Sequence, residues 1–237
     1  PMGVASPFFD QALYKELVER FPSVDLFEEI PNAGDKLSLS EKFGRRAYHR
    51  TIREDPRWKE LHSYLKSRQF ITEVLTVLAR HHIEPGFSKV AKSIPEAWQL
   101  IFRDLVRGRI PYDLTRLRSR FEFSIIRSGG GYLTPHTDTP KKRITLVFSM
   151  IREDEWFPEY GGATDVNRAL NQEDSYNWVN RRVDFENVET LHSYEFTPNQ
   201  CPVFVTTFNS LHSVRPLPQT PPKAIRKTLT VNIEAAH

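Results

Sequence analysis

Apolar side chains in the first part of the chain recur with helical spacing. Residues 10–20 place Leu13, Leu17 and Val18 on one side of a short helix. The pattern is longest over 56–80, where a proline stands at the start and predicts one amphipathic helix. The apolar positions of that second helix are Trp58, Leu61, Leu65, Phe70, Ile71, Val74, Leu75 and Leu78.

Two further segments complete the reading of this half. Residues 94–106 predict another helix, with a proline near its opening. Residues 23–55 are polar and predict an irregular loop, of which 31–45 could cover a site. We therefore expect residues 1–120 to be mainly helical.

The second half of the chain changes from helical spacing to short apolar or alternating runs. Glycine and proline separate these runs, as is typical of an antiparallel jelly roll. The predicted strands cover residues 121–126, 143–151, 161–166, 202–208 and 227–233. Residues 167–189 are polar and predict an insertion. We expect a single domain over 1–237, mainly β with helical support (α+β), in which 121–237 forms the β core.

Composition excludes several classes of protein. Of the 237 residues, 39% are hydrophobic, which is enough for a folded core. The net charge of +3 allows an anionic substrate and does not require nucleic acid. Cys201 is the single cysteine, so neither an intrachain disulfide nor a thiolate metal cluster can form. No apolar run reaches the ~18 residues of a membrane span, and no signal-peptide core is visible. We expect a cytoplasmic protein.

The candidate chemistry lies in His136-Thr137-Asp138. Residues two apart on a strand point to the same face, so the imidazole and the carboxylate can bind one ion. A third ligand has to come from a distant strand, and His212 follows the apolar run at 202–208. Two histidines and one carboxylate form the facial set that suits iron(II) and leaves coordination positions open. A His-x-Asp pair alone is common by chance; the Gly129–Gly131 turn before it and the apolar run after it strengthen the interpretation.

In this setting the chain resembles the iron(II)/2-oxoglutarate-dependent oxygenases, nearest to their prolyl-hydroxylase-like branch. The resemblance covers about residues 121–233, roughly half of the chain. Its motifs, in order, are RSGGGYLTPHTD at 127–138, RITLVFSM at 143–150, GGAT at 161–164, VFVTTFNSLHSV at 203–214 and RKTLTVNI at 226–233.

The resemblance implies a double-stranded β-helix core with helices packed outside it. It also implies that His136, Asp138 and His212 are the metal ligands, and that Arg226 pairs with the distal carboxylate of 2-oxoglutarate. A guanidinium binds a carboxylate through two parallel hydrogen bonds. Thr228 faces the same way as Arg226 along a strand, whereas Lys227 becomes the rival cation if the register slips by one residue.

Two positions depart from the family. Ser149 stands where many prolyl-hydroxylase-like members carry a tyrosine that touches the cosubstrate. Arg127 lies in the region before the first ligand, where many members carry another tyrosine. Arg127 could reach the cosubstrate or an anionic substrate, or face solvent. Asp138 is a true carboxylate, which argues against the halogenating relatives.

The implied activity is hydroxylation of an unactivated C–H bond of a small molecule, with release of succinate and CO2. The implied cofactors are Fe(II), 2-oxoglutarate and O2, with ascorbate as a candidate reductant. The basic stretch 103–120 keeps a nucleic-acid demethylase as an alternative that we disfavour. A peptide or protein hydroxylase and a non-catalytic jelly-roll binding module stay open.

The substrate cleft has several candidate borders. Residues around the first ligand strand are Thr134, Thr139, Lys141, Lys142 and Arg143. The insertion, with Tyr176, Trp178, Arg181 and Arg182, could form a lid. The three consecutive cations could favour an anionic substrate, or could be a solvated turn.

Overall fold

Two antiparallel sheets form the β core. The structure is a computed structural model. It describes residues 2–31, 35–83, 98–99, 102, 106, 117–139, 141–175, 182–207, 209–219 and 224–235. Most of the predicted helix at 94–106 lies outside these residues.

Four α-helices lie wholly within the described residues, and all of them come from the first part of the chain. They are α1 (Gln11–Glu19), α2 (Arg45–Glu54), α3 (Pro56–Leu65) and α4 (Arg68–Arg80). Asp55 caps α3, because its carboxylate accepts from the backbone N–H groups of Arg57 and Trp58 at 2.9 and 3.1 Å. Pro56 occupies the first turn of that helix, where its missing N–H costs nothing.

Eleven strands make up the two sheets. They are β1 (Met2–Ala5), β2 (Glu28–Glu29), β3 (Lys36–Ser40), β4 (Leu117–Arg127), β5 (Leu133–His136), β6 (Lys142–Ser149), β7 (Thr164–Ala169), β8 (Val188–Tyr194), β9 (Cys201–Val205), β10 (Leu211–Val214) and β11 (Ile225–Ala235). The large sheet has the order β1-β9-β6-β11-β4-β3-β2, and the small sheet has the order β5-β10-β7-β8. Together they form the jelly-roll core that the glycine- and proline-separated runs predicted.

The two faces of the large sheet differ in polarity. On β4, Phe121, Phe123 and Ile125 belong to the hydrophobic core that includes the buried residues of all four helices. Trp58 of α3 packs edge-on against Phe123, with ring centroids 4.7 Å apart, and is fully buried. The alternate positions of the same strand face the other way, and two of them, Glu122 and Ser124, are polar but buried. This second face of the large sheet, here called the inner face, carries buried polar side chains. The candidate site lies there.

The structure corrects one helix prediction and one loop prediction. The segment 56–80 forms two helices, because the Ser67 hydroxyl accepts from the N–H of Phe70 at 3.1 Å and starts a new helix there. The predicted loop at 23–55 contains β3 and α2. In β3 the alternation of leucine and serine follows the two faces of the sheet, and in α2 Tyr48 and Ile52 are buried.

The predicted strands are all present with shifted ends, whereas β1, β2, β3, β5, β8 and β10 were not among the predicted strands. Strand β7 runs to Ala169 and β8 begins at Val188, so both occupy part of the predicted insertion. Among the described residues, no helix has the length and apolar character to cross a membrane.

Candidate functional site

His136, Asp138 and His212 converge at one point between the sheets. His136 ends β5, and its Cα pairs with that of His212 across the antiparallel β5–β10 ladder. Asp138 follows two residues later. One ligand atom from each side chain can be chosen so that all three atoms lie within 4.8 Å of one another. The three side chains can therefore reach a single ion.

Both histidines present Nε2 to this point as an acceptor. The Nδ1 atom of His136 lies 2.8 Å from the carbonyl oxygen of Thr134, and that of His212 lies 3.1 Å from the carbonyl oxygen of Ser210. A carbonyl can only accept, so each Nδ1 carries the proton and each Nε2 keeps a lone pair. Burial, together with the neighbouring His212, lowers the pKa of His136 to about 3, and burial also lowers the pKa of His212. Both rings are neutral at pH 7, as metal ligands must be.

Asp138 supplies the negative charge. Burial opposes its ionisation, but the Lys142 ammonium and the two imidazoles hold the pKa of this carboxyl far below its usual range. Lys142 pairs with Oδ1, and the Thr145 hydroxyl lies 2.6 Å from Oδ2. Two neutral nitrogens and one carboxylate oxygen are a donor set that fits iron(II) and related divalent ions.

Arg226 lies on the inner face of β11 and is buried. Its Nε donates to the carbonyl of Gly162 at 2.7 Å, and Nη2 donates to the Thr164 hydroxyl at 3.2 Å. The guanidinium lies over the Phe196 ring, 4.2 Å from the centroid. Burial lowers the pKa of Arg226 to about 9, so the group stays charged at pH 7. Within the described part of the chain, no carboxylate forms a salt bridge with it, so its charge could be offered to an anion.

One cavity connects the three converging side chains with Arg226. Its other lining is mostly small, polar or aliphatic, and includes Ser124, Ile126, Thr145, Val147, Thr164 and Thr228. A cation site at one end and a guanidinium at the other match a molecule that carries two anionic ends. This shape fits a keto diacid.

The direction in which side chains point from β11 decides between Arg226 and Lys227 as the cation that lines the cavity. Lys227 points to the opposite side of the strand and pairs with Glu155, whereas Arg226 and Thr228 line the cavity. Ser149 is buried and pairs with Thr228 between strands, but it is not a lining residue. Arg127 is exposed and lies outside this cavity, because it follows the lining residue Ile126 and so points to the other face.

Lys36 and Thr164 line the cavity and were missed by sequence reasoning, as was the role of Thr145. Lys36 lies in the segment predicted as a loop, although the alternating Leu37-Ser38-Leu39-Ser40 run could have signalled a strand. Thr164 ends the GGAT motif, but the motif assigned it no role, because β7 reaches the cavity only through its pairing with β10. Lys142, by contrast, was among the predicted substrate contacts, and it touches Asp138.

The end of the predicted insertion borders the metal-site strand. Arg182 forms an isolated antiparallel bridge with His136, and the N–H of Val183 donates to the carbonyl of Pro135 at 2.9 Å. Tyr176, Trp178 and Arg181 lie outside the described residues. Of the other candidate contacts, Thr134 is half-buried and Lys141 is exposed.

Neither a family model nor a curated protein matches this chain. Solved structures do match. A prolyl-4-hydroxylase from Pseudomonas putida is 13% identical and aligns over 100% of this chain and 93% of its own, with a TM-score of 0.48. A second match is a prolyl hydroxylase from Trichoplax adhaerens in complex with a hypoxia inducible factor oxygen degradation domain peptide fragment. It is 10% identical and aligns over 99% of this chain and 83% of its own, with a TM-score of 0.49.

HygX from Streptomyces hygroscopicus, with nickel and 2-oxoglutarate bound, is 9% identical over 99% of this chain and 82% of its own, with a TM-score of 0.48. At such low identities and TM-scores, the function of this chain has to be inferred from its own side chains.

Proposed function

We propose that this protein is an iron(II)- and 2-oxoglutarate-dependent dioxygenase that hydroxylates a small molecule. In the proposed reaction, 2-oxoglutarate, O2 and a substrate C–H bond give succinate, CO2 and an alcohol. One oxygen atom enters succinate and the other enters the alcohol, so the reaction balances without a further reductant. Ascorbate has the accessory part of returning oxidised metal to iron(II). We treat 1–237 as one domain with this activity.

One observation carries the proposal: a single cavity holds three convergent metal donors and an arginine that has no carboxylate partner among the described residues. A buried unpaired guanidinium is costly unless an anion completes it. If His136, Asp138 and His212 had only a structural role, there would be no reason for the Arg226 guanidinium to lie in the same cavity.

The side chains take separate roles in this proposal. His136, His212 and Asp138 hold the ion on one face. Bound iron(II) supplies the activation of dioxygen. Arg226 binds the distal carboxylate of 2-oxoglutarate through its guanidinium, and Thr228 offers a hydroxyl beside it. Most side chains that line the cavity are buried, which would limit the access of water to the reacting groups.

The substrate is proposed to be a small molecule with an anionic group. Lys142 lies at the metal end of the cavity in contact with Asp138, and the exposed Lys141 precedes it. An anionic substituent near the ion can therefore share the ammonium of Lys142. The bridge between Arg182 and His136 puts a further cation beside the same strand.

The test is turnover with defined components. Purified protein is incubated with Fe(II), 2-oxoglutarate and O2, and succinate is quantified with and without a library of anionic metabolites. We expect some metabolites to raise succinate formation and to appear as products 16 Da heavier, the mass of one added oxygen atom. His212→Ala should form no succinate above the protein-free background, and full turnover by that variant would refute the assignment.

Two other outcomes identify the alternatives. Stimulation by peptides alone would indicate a peptide or protein hydroxylase. Tight binding of Fe(II) and 2-oxoglutarate without succinate under any condition would indicate a binding module.

A further inference from the structure

The hydroxyl of Thr145 lies between two buried oxygen atoms. Its Oγ1 is 2.6 Å from Oδ2 of Asp138 and 2.9 Å from Oδ1 of Asn232. All three side chains are buried, and Asn232 is fully so. A hydroxyl has one proton, so Thr145 can donate to only one of these two oxygens at a time. One of the two short contacts would then join two acceptors.

Asn232 shows the complementary problem. Its Nδ2 is buried and, among the described residues, has no hydrogen-bond partner. A buried donor without a partner costs ~1–3 kcal/mol. Rotating the amide by half a turn exchanges its oxygen and nitrogen, which occupy nearly equivalent positions. Nδ2 then donates to Thr145, and the proton of Thr145 is free for Asp138. This single change resolves both conflicts.

We propose that Asn232 and Thr145 are positioning residues that hold the Asp138 carboxylate in place for the metal. The chain of donors runs from the Asn232 amide to the Thr145 hydroxyl, and from that hydroxyl to Oδ2 of Asp138. Lys142 holds Oδ1 at the same time. With both oxygens held, the carboxylate cannot rotate, and its remaining lone pairs are available to an ion bound by the two histidines. The inference rests on the proposed metal site.

We call this series of hydrogen bonds, from Asn232 through Thr145 to Asp138, the relay. It also explains why two polar side chains, Thr145 and Asn232, lie together in the middle of the large sheet. Thr145 on β6 and Asn232 on β11 are register partners, so the pairing of these strands places the two side chains next to each other on the inner face. Asp138 lies in the loop just before β6. The relay therefore ties a loop carboxylate to two paired strands in the middle of the large sheet.

The test measures affinity for Mn(II), a redox-stable probe for the iron(II) site, by titration calorimetry. Thr145→Val keeps the shape and removes the hydroxyl, and we expect Mn(II) to bind ~10–100-fold more weakly. Thr145→Ser restores the hydroxyl and should bind within about threefold of the wild type. Thr230→Val is the matched control, since Thr230 lies on the same face of β11 and no described hydrogen bond joins it to Asp138.

Asn232→Asp tests the direction of the relay. A carboxylate at this position can only accept, so it draws the Thr145 proton away from Asp138, and Mn(II) should bind at least tenfold more weakly. Simple attraction by an added negative charge predicts tighter binding instead. The double variant Thr145→Val/Asn232→Asp should bind Mn(II) no more weakly than whichever single variant has the lower affinity. The reason is that both changes break the same series of hydrogen bonds.

The outcomes separate the relay from the metal site itself. Wild-type Mn(II) affinity in folded Thr145→Val, or unchanged or tighter binding in Asn232→Asp, would overturn the relay and leave the metal site standing. If Thr145→Val does not fold, as judged by circular dichroism, Asn232→Asp decides the question. Absence of Mn(II) binding by the wild type, or unchanged binding by His212→Ala, would overturn the metal site and the relay together.

Discussion

His136 and His212 stand directly opposite each other on β5 and β10, with ring centroids 4.4 Å apart and planes inclined by 49°. The ring of Phe204 stacks against His212, with ring centroids 4.6 Å apart. Direct partners on antiparallel strands have Cβ atoms ~5 Å apart, which is close enough for both imidazoles to reach one ion. Strand pairing, rather than a flexible loop, sets the spacing of the two nitrogen donors.

Removing one imidazole should therefore abolish tight metal binding. We expect His212→Ala to bind Mn(II) at least ~100-fold more weakly than the wild type, because two donors remain and neither histidine can be replaced by its neighbours. Titration calorimetry measures the effect. His192→Ala is the control, since His192 is exposed on β8 and does not line the cavity. Equal losses in both variants would contradict the site.

Arg226 should govern the response to 2-oxoglutarate. With Mn(II) present and 2-oxoglutarate at 100 times its dissociation constant, the wild type should gain ~2.7 kcal/mol of stability. Arg226→Met lacks the guanidinium, so the same concentration should raise its melting temperature little or not at all. Lys227→Met removes the neighbouring cation on the opposite face and should keep the full shift. A normal shift in Arg226→Met would exclude the guanidinium as the anion receptor.

A small change at Gly162 should displace Arg226. Gly162 has φ of +80°, and a Cβ there would lie 2.9 Å from Cζ2 of Trp156 and 3.2 Å from Cδ of Arg226. Gly162→Ala should therefore weaken 2-oxoglutarate binding about tenfold or more, because the arginine has to move. The measurement is the 2-oxoglutarate dissociation constant in the presence of Mn(II). Gly3→Ala is the control, since a Cβ there meets nothing within 4 Å.

Glu122 should contribute acid-sensitive stability. Burial opposes its ionisation, but Lys36 and Arg120 outweigh burial and lower the pKa of Glu122 to about 2, from an ordinary value of 4.5. A carboxyl with a lowered folded-state pKa stabilises the protein above pH 4.5, and this stability is lost as the pH falls from 4.5 towards 2. The shift corresponds to on the order of 3 kcal/mol.

Glu122→Gln removes this dependence. The variant should be less stable than the wild type at pH 7, because Lys36 and Arg120 lose their buried partner. Its free energy of unfolding should also fall less steeply between pH 4.5 and pH 2. Urea unfolding at pH 7, 4 and 3 measures both effects, and Glu54→Gln on the surface of α2 should behave like the wild type. Parallel pH profiles for Glu122→Gln and the wild type would contradict the assignment.

Local sequence determined which residues share a face. The spacing of His136 and Asp138 predicted that both can bind one ion, and their ligand atoms do lie close together in the structure. The step of two residues from Arg226 to Thr228 predicted that both face one way, and both line the cavity. The alternation over 121–126 predicted a strand with one apolar face. The last two features follow from the two-residue period of a strand, which any strand register preserves. Asp138 lies beyond the end of β5, so the loop, and not a continuous strand, brings its carboxylate to His136.

The tertiary structure alone decided which strands are neighbours. The pairing of β5 with β10 brings His212 to His136, and the pairing of β6 with β11 brings Asn232 to Thr145. Strand register also decided that Arg226, not Lys227, faces the cavity. The sequence determined the facing within each element because steric periodicity is local. Partners far apart along the chain are chosen by the packing of both sheets at once, and no local pattern encodes that choice.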